Sequence, residues 1–347
     1  MNHSASLIAP IADLLARAGI EAKIDTVTPC GQSGNNRIFR VVTSAGVFAV
    51  KQYFRHQDDK RDRLAAEFAF LRYASTAAVG STPRPHACNP EMGMALYEFV
   101  EGRSFIPGEI ALSHVNTATH FFRELNAMPL RAAAQLPIAS EACFSLAEHL
   151  ALISGRVDQL LKVAPRSDVD TEACRFFRRL TELWQQVSEE IRMNACAANI
   201  DINSPLLQEQ RCISPSDFGF HNAMTEPSGN IRFIDFEYAG WDDPAKTAGD
   251  FFSQLAVPVP VEFFSHFVAK IMQDFPHTDQ LVVRANLLRP AFQVKWCCIA
   301  LNVFLPVHLV RRKFADRAFD ESALKQSQLA KAQNLFNLIR TATHGLC

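Results

Sequence analysis

Two short segments constrain this chain more than any other feature. Ser214 to Asn222 reads SPSDFGFHN, and Ile231 to Gly240 reads IRFIDFEYAG. Asp217 and Asn222 stand five positions apart on a turn-rich stretch, and Asp235 follows an apolar, β-rich run through Ile231, Phe233 and Ile234. Hard oxygen groups in that order suit phosphoryl transfer. One Asp accepts the proton of an attacking hydroxyl, while the Asn and the second Asp hold Mg²⁺ against nucleotide phosphates. Mg²⁺ takes only one or two carboxylates beside waters and phosphate oxygens, so a dense ligand cage is not required. The blander alternative for Asp217 and Asn222 alone is an Asx-turn beside a capping residue. The second segment tilts the reading, because a buried strand that ends in a carboxylate needs a partner for the charge, either a metal or a lysine. Between the two lies TEPSGN, Thr225 to Asn230, which reads as a tight hairpin turn.

The upstream sequence holds a candidate phosphate-contacting lysine. Arg37 to Thr43 and Val47 to Tyr53 are β-rich runs joined by Ser44-Ala45-Gly46, a hairpin. Val47 and Ala49 share a face with Lys51, and V-F-A-V-K resembles the V-A-I-K strand whose lysine reaches nucleotide phosphates. A helix over 61–73 places Leu64, Phe68 and Leu71 on one face with Glu67 beside it, so a Lys51–Glu67 ion pair is expected. Their alternatives are a solvated strand-end lysine and a solvated helix charge. Gly31 to Asn36, with Gly31 and Ser33, is either a phosphate-covering loop of backbone N–H groups or an ordinary turn.

Length and composition bound the rest. With 347 residues, 48% of them hydrophobic, the chain can build one large domain or two lobes with cores of their own. A net charge of −1 points to neither a nucleic-acid nor a membrane partner. Nine cysteines without a CxxC pair read as reduced thiols of a cytoplasmic protein. The first residues read as an amphipathic helix, and the apolar stretch Trp296 to Val307 as a buried helix too short to span a bilayer.

In this order the motifs resemble the aminoglycoside phosphotransferase and choline kinase superfamily, from about Gly31 to Phe252. That family's catalytic stretch, H-G-D-x-H-x-x-N, is similar to Pro215 through Asn222: Asp217 and Asn222 keep their places, Pro215 replaces the first His and Gly219 the second. Its I-D-[WF]-E is similar to Ile234 through Glu237, and its D-P-x-x-D segment to Asp243-Pro244 with Asp250 downstream, read as structural. Asn126 stands where the family commonly has His. The resemblance implies an α+β, two-lobed, protein-kinase-like fold. Residues 1–100 would form the small antiparallel β lobe, and 101–347 a mainly helical lobe carrying the catalytic loop 214–222. Helices are expected near 113–127, 143–162, 170–193, 261–274 and 321–341. The resemblance also implies ATP (or GTP) and Mg²⁺ as cofactors, and a small-molecule hydroxyl as acceptor, on a sugar, an amino alcohol or an aminoglycoside-like metabolite. Asp217 would be the catalytic residue and Asn222 and Asp235 the metal ligands. Lys51, Glu67, Gly31 and Ser33 would stand at the phosphates, and Glu98 and Val100 at the hinge that meets the base.

Other classes remain open from the residues: a nucleotide-binding regulator of pseudokinase type, suggested by Pro215 and the sparse glycine loop, and a protein kinase, disfavoured because no A-P-E follows Asp235. Leu281 to Cys347 holds ten Lys and Arg against three Asp and Glu, which argues for a neutral or anionic acceptor over a polycation. An aromatic cage for choline would draw on Trp241, Trp296 or Tyr238, for each of which core packing is the alternative. Monomer and homodimer are both open.

Overall fold

The computed structural model describes residues 3–30, 36–55, 61–315 and 320–344. Its amino-terminal part is a five-stranded antiparallel sheet built from β1 (Ile24–Pro29), β2 (Arg37–Thr43), β3 (Gly46–Gln52), β4 (Pro85–Asn89) and β5 (Met94–Glu98) in the order β1-β2-β3-β5-β4. Strand alternation decides what each face does. Phe48 and Val50 of β3 join Phe39, Val41, Met94 and Leu96 under helix α1 (His3–Arg17), which inserts Ile11, Leu14 and Leu15. Ala49, Lys51 and Tyr53 point the other way, toward helix α2 (Arg63–Ala77). The buried face of α2 carries Leu64, Glu67, Phe70, Leu71 and Ala74. Phe68 is only half-buried, so the face is turned slightly from the one expected and passes directly through Glu67.

Beyond β5 the chain makes β6 (Arg103–Ser104) and is then mainly helical: α3 (Leu112–Leu125), α4 (Leu130–Ala133), α5 (Leu146–Leu161) and α6 (Asp168–Ala197). Strands β7 (Cys212–Ser214), β8 (Ala223–Thr225), β9 (Ile231–Phe233) and β10 (Gly240–Asp242) flank the two motif segments. Helices α7 (Pro244–Ser253), α8 (Phe264–Met272), α9 (Thr278–Leu301), α10 (Pro306–Ala315) and α11 (Glu321–His344) complete the fold. The expected helices are present. The buried helix read at Trp296 to Val307 is different: α9 begins at Thr278 and stops at Leu301, and Pro306 opens α10. Because α9 is buried on several sides, from Leu281 through Leu288 and Phe292 to Cys298, it lacks the one-sided stripe that marks a surface helix. Among the described residues no helix is long and apolar enough to cross a membrane.

A Phe-rich layer underlies the two motif segments. Phe218 and Phe220 of the loop 214–222, Phe233 and Phe236 on either side of Asp235, Phe121 of α3 and Phe251 of α7 are all buried. Phe121 stacks on Phe233 with centroids 4.7 Å apart, and Phe218 meets Phe233 at 5.2 Å and Phe251 at 5.0 Å. Aromatic pairs of this kind add about 0.5–1.5 kcal/mol each beyond burial. Both loops therefore stand on one apolar footing, with the polar residues projecting above it. Gly249 lets α7 approach α9, since a Cβ there would lie 2.0 Å from the Phe292 ring. That close approach sets Lys246 and Asp250 beside Lys295.

Candidate active site

The hairpin β8–β9 juxtaposes the two motif segments. Its register pairs Ala223 with Phe233 and Thr225 with Ile231, and Glu226 N–H donates to Asn230 O across the expected turn. One step beyond the ladder, Ile234 N–H donates to Asn222 O at 2.9 Å. Asn222 and Asp235 are thereby brought to the same end of the hairpin. Asp235 lies two residues past β9 with φ of +66°, a left-handed conformation that swings its carboxylate out of the strand.

That carboxylate meets Lys51. Lys51 Nζ donates to Glu67 Oε2 at 2.6 Å and to Asp235 Oδ1 at 2.5 Å. Tyr53 OH also donates to Glu67 Oε2, and Phe236 N–H to Glu67 Oε1, so Glu67 is locked in place. Burial opposes the charge on Lys51, but Asp235, Glu67 and Glu237 outweigh it and hold the ammonium protonated. Asp235 is pushed up to about 6, first by burial and then by the neighbouring Glu237 and Glu67, against the pull of Lys51. Its side chain still keeps 30% of its surface, whereas Lys51 keeps 6% and Glu67 4%. Asp235 is thus the open end of this cluster. Glu237, fully buried, pairs with Arg63 at 2.8 Å and accepts from Asn36 Nδ2 at 2.7 Å.

Asp217 is held by its own loop. Asn222 Nδ2 donates to Asp217 O at 2.9 Å and to its Oδ2 at 3.2 Å, while His221 Nε2 stands 3.1 Å from Oδ1. Burial raises the Asp217 carboxyl, yet His221, Asn222 and Lys295 together bring it below its ordinary value, so it is ionised and able to accept a proton. Asn222 keeps Oδ1, the atom a hard cation takes. Among the described residues there is no group of three or more His, Cys, Asp or Glu placed to hold a metal. Asn222 and Asp235 offer the sparser donor set that suits Mg²⁺.

Pro215 donates no hydrogen bond, and other groups brace the loop. Asn126, at the end of α3, pairs with β7 like a strand: it donates to Ile213 O at 2.9 Å and accepts from Ile213 N–H at 2.8 Å. Ser214 Oγ accepts from Ser216 N–H and Thr247 Oγ1. Lys246 Nζ donates to Ser216 Oγ at 3.1 Å and to Asp242 at 2.5 Å, and lies 3.7 Å from Asp250. Asp250 also receives Lys295 Nζ and Trp296 Nε1, both at 2.8 Å, which agrees with its reading as structural. His221 fills the room that Gly219 leaves: a Cβ at 219 would lie 2.8 Å from His221 Nδ1. Histidine is thus displaced two positions along the loop and still reaches Asp217. His221, Lys246, Ser216 and Lys295 were missed from sequence. Only the i, i+4, i+8 spacing of Asp242, Lys246 and Asp250 signalled any of them.

The remaining expected positions stand apart from these contacts. Glu98 ends β5, and its carboxylate receives Arg84 N–H and Arg232 Nη2, both at 2.9 Å. Val100 is buried just beyond it. Gly31 and Ser33 lie outside the described residues. A cavity of about 720 Å³ opens beside Asp217, with walls from α5, α9, α10 and α11 and from Glu141 and Tyr238. A larger one of about 910 Å³ adjoins it at Gln159 and His308 but is lined by no residue of the loop 214–222.

A family model described as "Phosphotransferase enzyme family" matches residues 26–276. Among solved structures, a choline/ethanolamine kinase family protein from Mesorhizobium loti aligns over 94% of this chain and 93% of its own, with a TM-score of 0.58 and 15% identity. A choline kinase from Streptococcus pneumoniae aligns over 95% and 97%, with a TM-score of 0.57 and 13% identity. A spectinomycin phosphotransferase, solved with ADP and spectinomycin, aligns over 96% and 99%, with a TM-score of 0.55 and 10% identity. At such identities the likeness carries the two-lobed, kinase-like α+β fold and not the substrate. No curated protein sequence matches the chain.

Proposed function

Since the chain belongs to the phosphotransferase enzyme family, we propose that it transfers the terminal phosphoryl group of ATP or GTP to a hydroxyl of a small molecule. The observation that carries this reading is the bridge made by Lys51 between Glu67 and Asp235, three residues from separate parts of the chain meeting within 2.6 Å. Solved relatives of the same fold include one with ADP bound.

In this reading the acceptor hydroxyl oxygen forms a bond to the terminal phosphorus as the bond from that phosphorus to the bridging oxygen breaks. The nucleoside diphosphate leaves, and the hydroxyl proton goes to Asp217. Asp217 is ionised and its two oxygens are oriented by His221 and Asn222, so it positions the hydroxyl and receives the proton without first reorganising. Lys51, fixed by Glu67, contacts the phosphates. Asn222 Oδ1 and the open Asp235 carboxylate would hold Mg²⁺, which when bound neutralises charge on the phosphate oxygens. Glu98 and Val100 border the nucleotide base at the turn between the lobes, 1–100 and 101–347. The Asp217 cavity receives the acceptor, and its enclosure by helices suits a small molecule better than a protein segment.

Asp217→Ala tests the assignment. With ATP and Mg²⁺, turnover on an acceptor found by screening small alcohols should fall by about 10²–10⁴, while nucleotide affinity measured by calorimetry changes little. Undiminished turnover would remove Asp217 from the chemistry and the reading with it.

A further inference from the structure

Resting on the assignment of the Asp217 cavity to the acceptor, we propose that the acceptor carries an anionic group, a carboxylate or a phosphate ester, seated against Arg156 and Lys331. The lining of the cavity is unbalanced in charge. Among the described residues six cations line it (Arg63, Arg156, Lys246, Lys295, Arg312 and Lys331), against the carboxylates of Glu141, Asp217 and Asp250. Glu237 and Asp242 answer Arg63 and Lys246 from behind and Arg312 has a partner of its own, so the surplus rests on Arg156, Lys295 and Lys331 against Glu141 and Asp250, with Asp217 reserved for the hydroxyl. Helices α10 and α11 supply His308, Arg312, Gln328 and Lys331 to the wall and no carboxylate. Among the described residues Lys331 has no carboxylate partner.

Arg156 supplies the second, independent observation. One end of its guanidinium, Nη2, is engaged by Glu141, while its Nε is buried without any partner. Nε is shielded from the cavity, so the donor open to a ligand is Nη1, which makes no hydrogen bond among the described residues, and a guanidinium with an unspent donor attracts a carboxylate or phosphate. An anion at this point pairs with Arg156 through Nη1 in the cavity that Lys331 also lines.

The same wall is ill-suited to a cationic acceptor. Glu141 is held by Arg156 and Lys295, and Asp250 by Lys295, Lys246 and Trp296, so neither carboxylate is left to pair with an ammonium group. The Tyr238 ring is already covered by the Arg63 guanidinium at 4.8 Å. Trp296 is tied at Nε1 to Asp250, with His221 edge-on at 6.2 Å. Among the described residues lining the cavity this leaves one ring, Trp296, and a cage for a quaternary ammonium needs several.

The experiment is calorimetric titration of the full chain with Mg²⁺ and a non-hydrolysable ATP analogue, the analogue being titrated first. Three matched sets then follow: glycerol, glycerate and glycerol phosphate; glucose, glucuronate and glucose phosphate; choline and kanamycin. The anionic members should bind about tenfold or more tightly than their neutral counterparts, and more tightly than either cation, with the advantage shrinking as salt rises. Whether glycerate and glucuronate or the phosphate esters bind better identifies which anion the site takes. Arg156→Gln should bring anionic and neutral members within about threefold of one another. Because that change also deprives Glu141 of a partner, Lys331→Gln on exposed α11 is the companion variant, expected to act in the same direction with an unchanged melting temperature. Equal binding of neutral members, tighter binding of choline or kanamycin, or no binding of any anionic member overturns the inference. If the ATP analogue binds while the anions do not, this inference fails alone; if the analogue does not bind, the phosphotransferase reading fails first.

Discussion

Two buried lysines, each set between two carboxylates, occupy the two halves of this site. Lys51 bridges Glu67 and Asp235 on the side proposed for the nucleotide, and Lys295 lies between Asp250 and Glu141 at the Asp217 cavity proposed for the acceptor. Their surroundings differ in sign. Around Lys51, three carboxylates crowd together, and Asp235 is driven up to about 6, first by burial and then by Glu237 and Glu67. Around Lys295, burial also pushes Glu141 up, but Arg156, Lys295 and Lys246 together hold it below its ordinary value. The first half is short of positive charge and the second has it in surplus. On the proposed reading, one buried motif serves opposite ends: a place for a cation, and a wall that favours an anion.

The comparison can be broken in graded steps. Lys51→Met should have the largest effect, lowering turnover by about 10²–10⁴, because it removes a phosphate contact and frees Glu67 and Asp235 to repel each other. Steady-state kinetics on any acceptor reads this, and a loss under tenfold would deny Lys51 its place at the phosphates. Lys295→Met should act through stability, by about 2–3 kcal/mol in urea unfolding, since it takes from buried Asp250 its nearer lysine and leaves Lys246 at 3.7 Å and the Trp296 N–H. Nucleotide affinity should be retained; if it falls as far as in the Lys51 variant, the halves form one network and the contrast is wrong.

A third probe is acid, applied behind the acceptor half. Burial raises the Asp243 carboxyl, but Arg284 at 2.7 Å, His149 at 2.9 Å and the N–H of Ala245 bring it down to about 2 from an ordinary 3.8. A lowered carboxyl contributes stability that is present in full above the unfolded value and is lost as pH falls through the folded one. About 2 kcal/mol should therefore disappear between roughly pH 4 and pH 2. Urea midpoints across that range measure it, and Asp243→Asn should lack that part of the slope. A variant with the wild-type slope would remove Asp243 as the source. The smallest effect is expected at Ser145, which caps α5 and forms a reciprocal capping box with Glu148. Ser145→Ala should lower stability by about 1 kcal/mol and leave turnover unchanged. Altered turnover would mean that the seating of α5, and with it Arg156, limits catalysis.

What could be read from the chain follows from range. Lys51, Glu67, Asp217, Asn222 and Asp235 each end or interrupt a short periodic run, so local pattern exposes them. The alternation of β3 and the helical spacing of α2 suffice to aim Lys51 and Glu67 at each other. Arg156, Glu141, Lys295 and His221 carry no such mark. Glu141 and Arg156 lie on a loop and on α5, and Lys295 lies on a helix buried on several sides, where polar residues read as exceptions rather than as a face.

By itself, the sequence determined the α+β class, the order of strand, helix, loop and hairpin, and the pairing of Lys51 with Glu67, because these rest on neighbours within a few turns of chain. Only the tertiary structure decided which charges meet beneath the acceptor, how Asn126, Ser214 and Lys246 brace a loop that begins with Pro215, and that His221 stands against Gly219 beside Asp217. Those outcomes depend on the close packing of α7 on α9 over a layer of phenylalanines. Packing of that kind sums small contacts between distant segments, and no local pattern encodes the sum.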